Sequence, residues 1–380
     1  GAKIQKSRES NNTRGTSRLN EQITRRQRTH EGTMRTQKGI QSGNWRGWGT
    51  KGHRTFHMHA GRAGLSSVKE GFCHLCADPV KPRVLPKPLL RLHDAHLRGC
   101  ELSVLLQQCE QQKCYVTVSE AEAEALEEKT SDQHKCELWQ TAIAGRITAS
   151  NIHAVMSTST ATTPALSTVK KVCYPNKMSR LLSDNELEPI KWGKVNEQTA
   201  RLYYTSQTTT LHRGLKVDKC GFIINPSFPE LGATPDALVY CGCCGKGCVE
   251  IKCPYTHHNH KLLQAGEDDT FCLTLTDGIA ELKQTHKYYK QVQTQIFVTT
   301  SEFCDFVVWT TKACVIIRVR PDARMWGQLL QVAQEFFYKV VMPQLVAHHY
   351  TDPVPNMSQG QPAINDREAI GENKRKAKKH

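Results

Sequence analysis

Residues 234–253 read TPDALVYCGCCGKGCVEIKC, and they carry the strongest local signal for the fold. Two short runs with strand-forming residues, ALVYC and CVEIKC, flank a turn that contains Gly245 and Gly247. Glycine supplies the positive-φ freedom that a tight hairpin turn requires. We therefore predict that the two runs pair side by side as a β-hairpin.

The second run separates polar from apolar side chains, because successive residues of a strand point to opposite faces. Cys248, Glu250 and Lys252 share one face of the predicted strand. Val249 and Ile251 share the other face with Cys253 and are expected to face the core. The face with Glu250 and Lys252 therefore carries side chains that could take part in a reaction.

Asp236 stands where the first run begins, directly after Pro235, which favours an edge or a turn. The hairpin would fold Asp236 back toward Glu250, which gives two carboxylates able to share a hard cation. Magnesium prefers oxygen ligands and keeps several waters, so these carboxylates, the Ile251 carbonyl and substrate phosphate oxygens would form a sufficient shell. Lys252 would orient or deprotonate the attacking water, or stabilise charge in the transition state.

These residues predict metal-dependent phosphodiester hydrolysis, with one or two Mg²⁺ or Mn²⁺ ions. A simpler interpretation is also open. An Asp in a turn and an E-x-K on a strand are individually frequent, and a cross-strand ion pair on a solvated face has the same pattern.

The chain of 380 residues carries a formal net charge of +15, which favours a polyanionic partner such as nucleic acid. Much of that charge lies at the two ends. We predict a disordered basic tail over 1–68, a Cys/His-containing and partly helical linker over 69–135, a folded domain over 136–350, and a second disordered basic tail over 351–380.

Other segments predict the elements around the hairpin. Ser119 and Glu122 are spaced as a capping box that begins an acidic helix. A helix is expected over 192–204, after a tight glycine turn, with Val195 and Leu202 on its buried side. Further helices are expected over 277–299 and after Asp322. Strands are expected at GFIINPSF and in the pair FCDFVVWTT and ACVIIRVR, so the fold class is α/β with a mixed sheet.

Five segments then occur in a fixed order over about residues 137–345: RITAS, WGKVNEQTA, GATPDALV, VEIKCPY and YYKQVQTQI. Together they resemble the YqaJ-type viral recombinase domain, which is similar to phage lambda exonuclease within the PD-(D/E)XK nuclease superfamily. The resemblance implies a restriction-endonuclease-like core, a mixed sheet flanked by helices, and Mg²⁺ or Mn²⁺ dependence. It also implies hydrolysis of DNA, which in lambda exonuclease proceeds from a 5′ end.

The resemblance places a catalytic set on the following positions: Asp236, Glu250, Lys252, Glu197, Tyr288 and Gln291. By position, Asp236 and Glu250 would bind the metal with the Ile251 carbonyl. Glu197 would be an additional acidic ligand near a second metal or its waters. Gln295 lies one turn beyond Gln291 on the same helix face.

A DNA-binding set follows from the same resemblance. Ser150, in RITAS, would begin a helix whose N-terminus suits a phosphate. Thr234 stands where lambda exonuclease has a serine close to the terminal phosphate. The family often carries an arginine where this chain has Ile143, and Arg146 is offset by nearly one helical turn.

Two groups of cysteine and histidine have spacings that could bind zinc. They are Cys241, Cys243, Cys244 and Cys248 in the hairpin, and Cys73, Cys76, His93 and His96 before the domain. The adjacent Cys243 and Cys244 cannot easily both face one ion, and Cys248 lies beside Glu250. Zn²⁺ is therefore less favoured than unpaired thiols.

The predicted function is a metal-dependent DNA nuclease, a 5′–3′ exonuclease by resemblance, in DNA recombination or repair or in a gene derived from a virus or mobile element. DNA is the expected partner, and a homo-oligomer such as a trimeric ring follows from the resemblance only. The alternative is a catalytically inert DNA-binding protein that retains the fold, although a phosphate binder gains nothing from carboxylates beside a polyanion.

The sequence shows neither a secretory signal peptide nor a long uncharged apolar stretch, so we expect an intracellular protein without membrane association. The sixteen cysteines are then free thiols or metal ligands. The terminal run KRKAKKH is by default a solvated tail, with nuclear import as the alternative interpretation.

Overall fold

The computed structural model describes residues 84–158, 163–175, 187–260, 265–266 and 268–352. The tail predicted for 1–68 lies outside this range, as do Cys73, Cys76 and the predicted second tail apart from 351 and 352. From residue 84 onward the predicted linker region is largely helical. Across these ranges we find no helix long and apolar enough to cross a membrane.

The strands follow one another along the chain as β1 (Ile147–Thr148), β2 (Lys216–Asp218), β3 (Leu231–Gly232), β4 (Ala237–Cys241), β5 (Gly245–Lys252), β6 (Leu273–Thr276), β7 (Ile279–Leu282), β8 (Phe303–Trp309) and β9 (Cys314–Val319). The α-helices are α1 (Leu102–Gln111), α2 (Glu120–Lys129), α3 (Glu137–Ile143), α4 (Ile152–Met156), α5 (Leu166–Cys173), α6 (Glu188–Thr209), α7 (Lys287–Val298), α8 (Ala323–Phe336) and α9 (Met342–Ala347). A π-helical segment, Phe337–Val341, joins α8 to α9.

A five-stranded mixed sheet is the centre of the fold, with the strand order β2-β4-β5-β8-β9. Strands β5 and β8 are parallel, and the other neighbouring pairs in this sheet are antiparallel. The predicted hairpin is β4 with β5, and the predicted pair FCDFVVWTT and ACVIIRVR is β8 with β9. The predicted α/β class with a mixed sheet flanked by helices is confirmed.

The two glycines of the hairpin have different tasks. Gly245 has a φ of +79° and turns the chain, as predicted. Gly247 instead lies under the Phe303 ring, where a Cβ would come within 2.4 Å of ring carbons. Gly247 therefore permits close packing of β5 against β8.

Helices cover both faces of the sheet at its central strands, β5 and β8. Helix α6 packs on one face through Ala200 and Tyr204, which meet Val249 and Ile251 of β5. Helix α7 packs on the opposite face, where its apolar residues join those of β8 and β9. The polar face predicted for β5 is therefore buried beneath α7 rather than solvated.

A buried polar network connects α6 to the sheet. Asp305 of β8 is 1% exposed and accepts two hydrogen bonds from Arg318 of β9, at 2.8 and 2.9 Å. The Tyr204 hydroxyl of α6 donates to the same carboxylate at 2.8 Å. A buried charge is tolerated when it is paired and hydrogen bonded in this way.

The buried side predicted for the helix over 192–204 is wrong. Gly193 lies inside α6 rather than in a turn before it. Val195 and Leu202 are 73% and 62% exposed, whereas Ala200 and Tyr204 are buried. The small Ala200 lets the helix approach the sheet, and the Tyr204 hydroxyl has a buried acceptor, so packing overrides the apolar pattern.

Two other predicted elements differ in extent. The segment 277–299 begins as a strand, because β6 and β7 form a separate antiparallel pair and α7 starts only at Lys287. The segment GFIINPSF forms a single bridge, between Ile223 and Ala233, instead of a strand. The capping box at Ser119 and Glu122 and the helix after Asp322 are present as predicted.

Candidate active site

Asp236 lies directly before β4, where the chain is already paired with β5. Its amide donates to the Val249 carbonyl at 2.9 Å. Its Oδ2 accepts a hydrogen bond from the Ile251 amide at 2.5 Å. The hairpin therefore fixes the Asp236 carboxylate against the backbone that follows Glu250.

Glu250 is the most enclosed acidic group of this site, with 3% of its surface exposed. Its Oε1 accepts from Lys252 Nζ at 2.5 Å and from Gln291 Nε2 at 2.6 Å. Its Oε2 accepts from Gln295 Nε2 at 2.6 Å. The two glutamines lie four residues apart on α7, so they share the helix face that covers β5.

The Lys252 ammonium lies between a carboxylate and an aromatic ring. Its Nζ is 4.6 Å from the centre of the Tyr288 ring, which stabilises a cation through its negative face. Burial lowers the pKa of Lys252, but Glu250, Tyr288 and Asp236 together outweigh burial and raise it above its ordinary value. Lys252 is therefore positively charged at neutral pH.

Glu197 extends from α6 on the more exposed side of the site, and its side chain is 40% exposed. Its Oε1 accepts a hydrogen bond from Arg201 Nη2 at 2.8 Å, one helical turn away. Its charge is also one of the causes that raise the pKa of Asp236. Glu197 is therefore electrostatically part of the same acidic group.

The crowding of carboxylates has a measurable consequence for Asp236. Burial, followed by the charges of Glu250 and Glu197, raises the pKa of Asp236 well above its ordinary value. Lys252 acts in the opposite direction but does not cancel these effects. Carboxylates crowded in this way fit a divalent cation, whose charge favours their ionised forms.

Gln295 gives a second sign that the site suits a hydrated cation. Its amide donates to Glu250, but its Oε1 is buried and has no hydrogen-bond partner among the described residues. Buried polar atoms are nearly always hydrogen bonded, and the water shell of a cation would supply a donor. The candidate metal ligands, the carboxylates of Asp236 and Glu250 and the Ile251 carbonyl, all bind through oxygen, which suits Mg²⁺ or Mn²⁺ better than Zn²⁺.

A cleft of ≈ 260 Å³ opens beside the two glutamines of α7. Ser150, Thr234 and Lys171 lie in its wall and supply two hydroxyls and one cation. Ile143 also lines the cleft, at the position where the family often has an arginine. The structure thus places Ser150 and Thr234 in the wall of one cleft, and their predicted role in phosphate binding stays a prediction.

Ser150 does not cap a helix, which corrects one prediction. Helix α4 begins at Ile152, and its N-cap residue is Asn151. The Ser150 hydroxyl lies 3.0 Å from the Thr148 hydroxyl, at hydrogen-bond distance. Ser150 is exposed in the cleft, so its hydroxyl is accessible there.

Arg146 is not brought to the site. The residue is 2% exposed, and its Nη1 and Nε donate to the carbonyls of Ala142 and Pro229 at 3.0 and 3.1 Å. Burial lowers the pKa of Arg146 to about 10. Arg146 therefore holds two segments of backbone together instead of contacting DNA.

The predicted cysteine groups are only partly assembled. Cys248 is buried and donates to the Phe303 carbonyl at 3.8 Å, away from the other hairpin cysteines. Histidine His212 takes its place beside Cys241, Cys243 and Cys244. His93 and His96 belong to no such group in the described part of the chain, and His93 Nδ1 lies 3.0 Å from the Val346 carbonyl.

Trp139 and Lys171 also line the cleft and were not predicted from the sequence. Trp139 donates its indole N–H to the Thr234 hydroxyl at 3.1 Å and so orients it. Lys171 lies on α5 and supplies the cation. Neither has a spacing that relates it to the hairpin, because only tertiary packing brings α3 and α5 to this cleft.

The fold and the site together define a mixed α/β domain with acidic residues and a lysine at the end of a β-hairpin. Residues 138–302 match the family model of the YqaJ-like viral recombinase domain. This match confirms the resemblance that the five sequence segments predicted.

Several solved structures are similar to this chain. LHK-Exo, an alkaline exonuclease from Laribacter hongkongensis solved in complex with dAMP, is 25% identical over 55% of this chain and 94% of its own, with a TM-score of 0.40. The Shutoff and Exonuclease Protein from Kaposi's sarcoma-associated herpesvirus is 13% identical over 65% and 76%, with a TM-score of 0.38. A phage-related exonuclease from Haemophilus somnus 129PT is 13% identical over 52% and 95%, with a TM-score of 0.33. Comparison with curated proteins gives no match.

Proposed function

We propose that this chain is a magnesium-dependent deoxyribonuclease that hydrolyses phosphodiester bonds from a DNA end. The observation that carries the proposal is the assembly of Asp236, Glu250 and Lys252 on one hairpin, with Glu250 held by Gln291 and Gln295. An ion pair on a solvated face would not need two glutamine donors on the carboxylate, and Glu250 is buried rather than solvated.

Asp236, Glu250 and the Ile251 carbonyl would hold the first cation, with Glu197 nearest to a second. When bound, a divalent cation polarises the phosphodiester and lowers the pKa of the attacking water. Gln291 and Gln295 hold the Glu250 carboxylate in one orientation, so little reorganisation is needed on substrate binding.

Lys252 has a distinct part in this scheme. Its ammonium keeps its proton next to Glu250 and the Tyr288 ring, so it acts as a fixed positive charge. A phosphoryl group that gains negative charge in the transition state is stabilised by such a charge in a partly enclosed site. Tyr288 is a positioning residue, because burial raises the pKa of its phenol and keeps it neutral beneath the ammonium.

The deciding experiment compares end-labelled linear DNA duplexes with closed circular DNA, in Mg²⁺ and in EDTA. We expect release of mononucleotides from the linear duplex in Mg²⁺ only, and no cutting of the circle. Glu250→Gln should remove the activity, and Glu281→Gln, an exposed glutamate on β7, serves as its matched control. Equal activity of both variants would refute the proposal, whereas cutting of circles would make the enzyme an endonuclease.

The cleft suggests how a DNA end is held. We propose that Ser150, Thr234 and Lys171 receive the terminal 5′ phosphate, and that Lys171 supplies the charge where Ile143 replaces the family's arginine. The phosphate would then lie beside the glutamines that contact Glu250. The scissile bond of the terminal nucleotide would fall near the acidic residues.

Lys171→Ala is expected to reduce the preference for 5′-phosphorylated over 5′-hydroxyl duplexes roughly tenfold, the value of one charged hydrogen bond. The measurement is kcat/KM on the two duplexes. Lys170→Ala is the matched control, since Lys170 is the exposed neighbour outside the cleft wall. An unchanged ratio in Lys171→Ala would show that the phosphate binds elsewhere, without affecting the proposal of hydrolysis.

A further inference from the structure

The turn of the catalytic hairpin carries a cluster of soft ligands that phosphodiester hydrolysis does not use. It consists of His212, Cys241, Cys243 and Cys244, whose ligand atoms all lie within 4.8 Å of one another. His212 follows the end of α6, and the three cysteines lie at the β4–β5 turn. We define these four residues as the hairpin cluster.

The spacing of these atoms is that of a tetrahedral zinc site. With Zn–S and Zn–N bonds of about 2.3 and 2.0 Å, sulfur atoms should lie about 3.8 Å apart and nitrogen about 3.5 Å from sulfur. His212 Nδ1 lies 3.3, 3.7 and 3.5 Å from the sulfur atoms of Cys243, Cys241 and Cys244. The Cys243 sulfur lies 3.4 Å from that of Cys241 and 3.7 Å from that of Cys244.

We propose that the hairpin cluster binds one structural Zn²⁺ through His212 Nδ1 and the three thiolates. The adjacent Cys243 and Cys244 both reach the cluster, because the turn before Gly245 directs their side chains to the same side. The set of ligands therefore differs from the sequence prediction, in which Cys248 was the fourth. Cys248 instead lies in the apolar layer between the sheet and α7.

A neighbouring cation supports thiolate ligands at this place. Arg318 Nη1 donates to the Cys244 sulfur at 3.1 Å. The same guanidinium donates two hydrogen bonds to Asp305, which also accepts one from Tyr204 of α6. Hydrogen bonds from surrounding groups orient metal ligands and balance the charge of thiolates. Three thiolates and one Zn²⁺ carry a single net negative charge, and Arg318, whose charge is shared with Asp305, partly balances it.

The position of the cluster indicates a structural task. All four positions of a tetrahedral zinc would be filled by protein atoms, which leaves none open for a substrate. Cys241 comes five residues after Asp236 along an extended strand, so at 3.4 Å per residue the two residues lie roughly 17 Å apart. The ion would join the chain just after α6 to the turn of the hairpin. Helix α6 carries Glu197, and the hairpin carries Asp236 and Glu250. It would thereby keep the register of β4 and β5.

The test begins with the metal content of the full-length protein, expressed in zinc-containing medium and purified with a reducing agent but without chelator. We expect about one Zn²⁺ per chain, and X-ray absorption at the zinc edge should show three sulfur ligands and one nitrogen ligand. Replacement by Co²⁺ should give the visible absorption of a tetrahedral, sulfur-rich site.

Four variants make the result decisive. Cys243→Ser should lose zinc. His212→Cys should keep zinc with four sulfur ligands, and Cys248→Ala should keep zinc with the same three sulfur ligands and one nitrogen ligand as the wild type. Cys114→Ser, an exposed cysteine outside the cluster, is the matched control and should also keep it. Circular dichroism of each variant separates loss of the ion from loss of the fold.

Three outcomes would overturn the proposal. One is a full-length protein that contains no zinc and gives no tetrahedral Co²⁺ spectrum. Another is a disulfide between two of the three cysteines in the protein purified under reducing conditions. The third is loss of zinc in Cys248→Ala together with full zinc in Cys243→Ser. None of these outcomes bears on the proposed hydrolysis, which is tested separately by the activity of Glu250→Gln on linear DNA.

Discussion

Replacing Asp236 with asparagine is expected to abolish DNA hydrolysis and, at the same time, to stabilise the metal-free protein. Without a cation, burial and the charges of Glu250 and Glu197 oppose the ionised form of Asp236. Asparagine is neutral, has nearly the same shape, and can still accept the Ile251 amide hydrogen bond. Removal of an unfavourable charge from an active site commonly stabilises a protein by about 1 kcal/mol.

The gain in stability should depend on pH. The folded-state pKa of Asp236 is raised, so its contribution to stability is fully present below the unfolded pKa, which is about 3.9. That contribution is lost as the pH rises through the folded-state pKa. The difference between Asp236→Asn and the wild type in EDTA should therefore be smallest near pH 4 and should grow toward pH 8.

The measurement is the melting temperature in EDTA and in Mg²⁺. A gain of about 1 kcal/mol corresponds to roughly 2–4 °C for a domain of this size. Mg²⁺ should raise the melting temperature of the wild type but not that of Asp236→Asn. Asp218→Asn, at an exposed position of β2 in the same sheet, is the matched control. A lower melting temperature of Asp236→Asn in EDTA at pH 8 would contradict the prediction.

Replacing Lys252 with methionine should also remove activity, but with the opposite effect on metal binding. Methionine keeps an unbranched side chain over Tyr288 and lacks only the ammonium. Loss of one preorganised charge at the reacting phosphate lowers kcat by about 10²–10³-fold. The loss should appear in kcat, since Lys252 is expected to contact the charge that develops during reaction.

Lys252 and a cation compete for the same carboxylate. The ammonium lies 2.5 Å from Glu250 Oε1 and occupies one side of that group. Without it, Glu250 keeps only the glutamine donors and binds a divalent cation more tightly. The rise in melting temperature caused by Mg²⁺ should therefore be larger in Lys252→Met than in the wild type, and absent in Asp236→Asn.

Lys246→Met is the matched control for this comparison, because Lys246 lies on the same strand at the far end from Lys252. Its Nζ contacts the Thr299 carbonyl at 2.7 Å, away from the acidic residues. Activity should survive in Lys246→Met. Full activity in Lys252→Met, or a smaller Mg²⁺ effect on its melting temperature, would show that Lys252 is a structural partner of Glu250 only.

The hairpin could be predicted from local sequence because its signals are local. Gly245 turns the chain, and alternation along β5 separates Glu250 and Lys252 from Val249 and Ile251. The position of Asp236 then follows from the register of a two-stranded pair. The roles of these residues in catalysis stay predictions, which the variants above test.

The buried side of α6 could not be predicted in the same way. An apolar pattern predicts the buried side only when apolar residues do the packing. Here Ala200 and Tyr204 face the sheet, and the Tyr204 hydroxyl finds Asp305 on a strand far along the chain. Val195 and Leu202 are left exposed, although their composition favours burial.

Local sequence was enough to predict the mixed sheet, the acidic hairpin and the resemblance to the YqaJ-type domain, because these depend on contiguous segments and on the short range of a β-turn. Which cation lies in the cleft, and which residue is the fourth member of the hairpin cluster, depends instead on packing between distant segments. Arg146 is close in sequence to Ile143, but its guanidinium donates hydrogen bonds to backbone carbonyls instead of facing the cleft. Lys171, which is distant in sequence, lies in the cleft wall. Cys248 is close in sequence to the other hairpin cysteines, but its side chain is buried in the core. His212, from the end of α6, instead lies beside the three thiols of the hairpin cluster. Side-chain direction and long-range packing settle such choices, and neither is encoded in residue spacing.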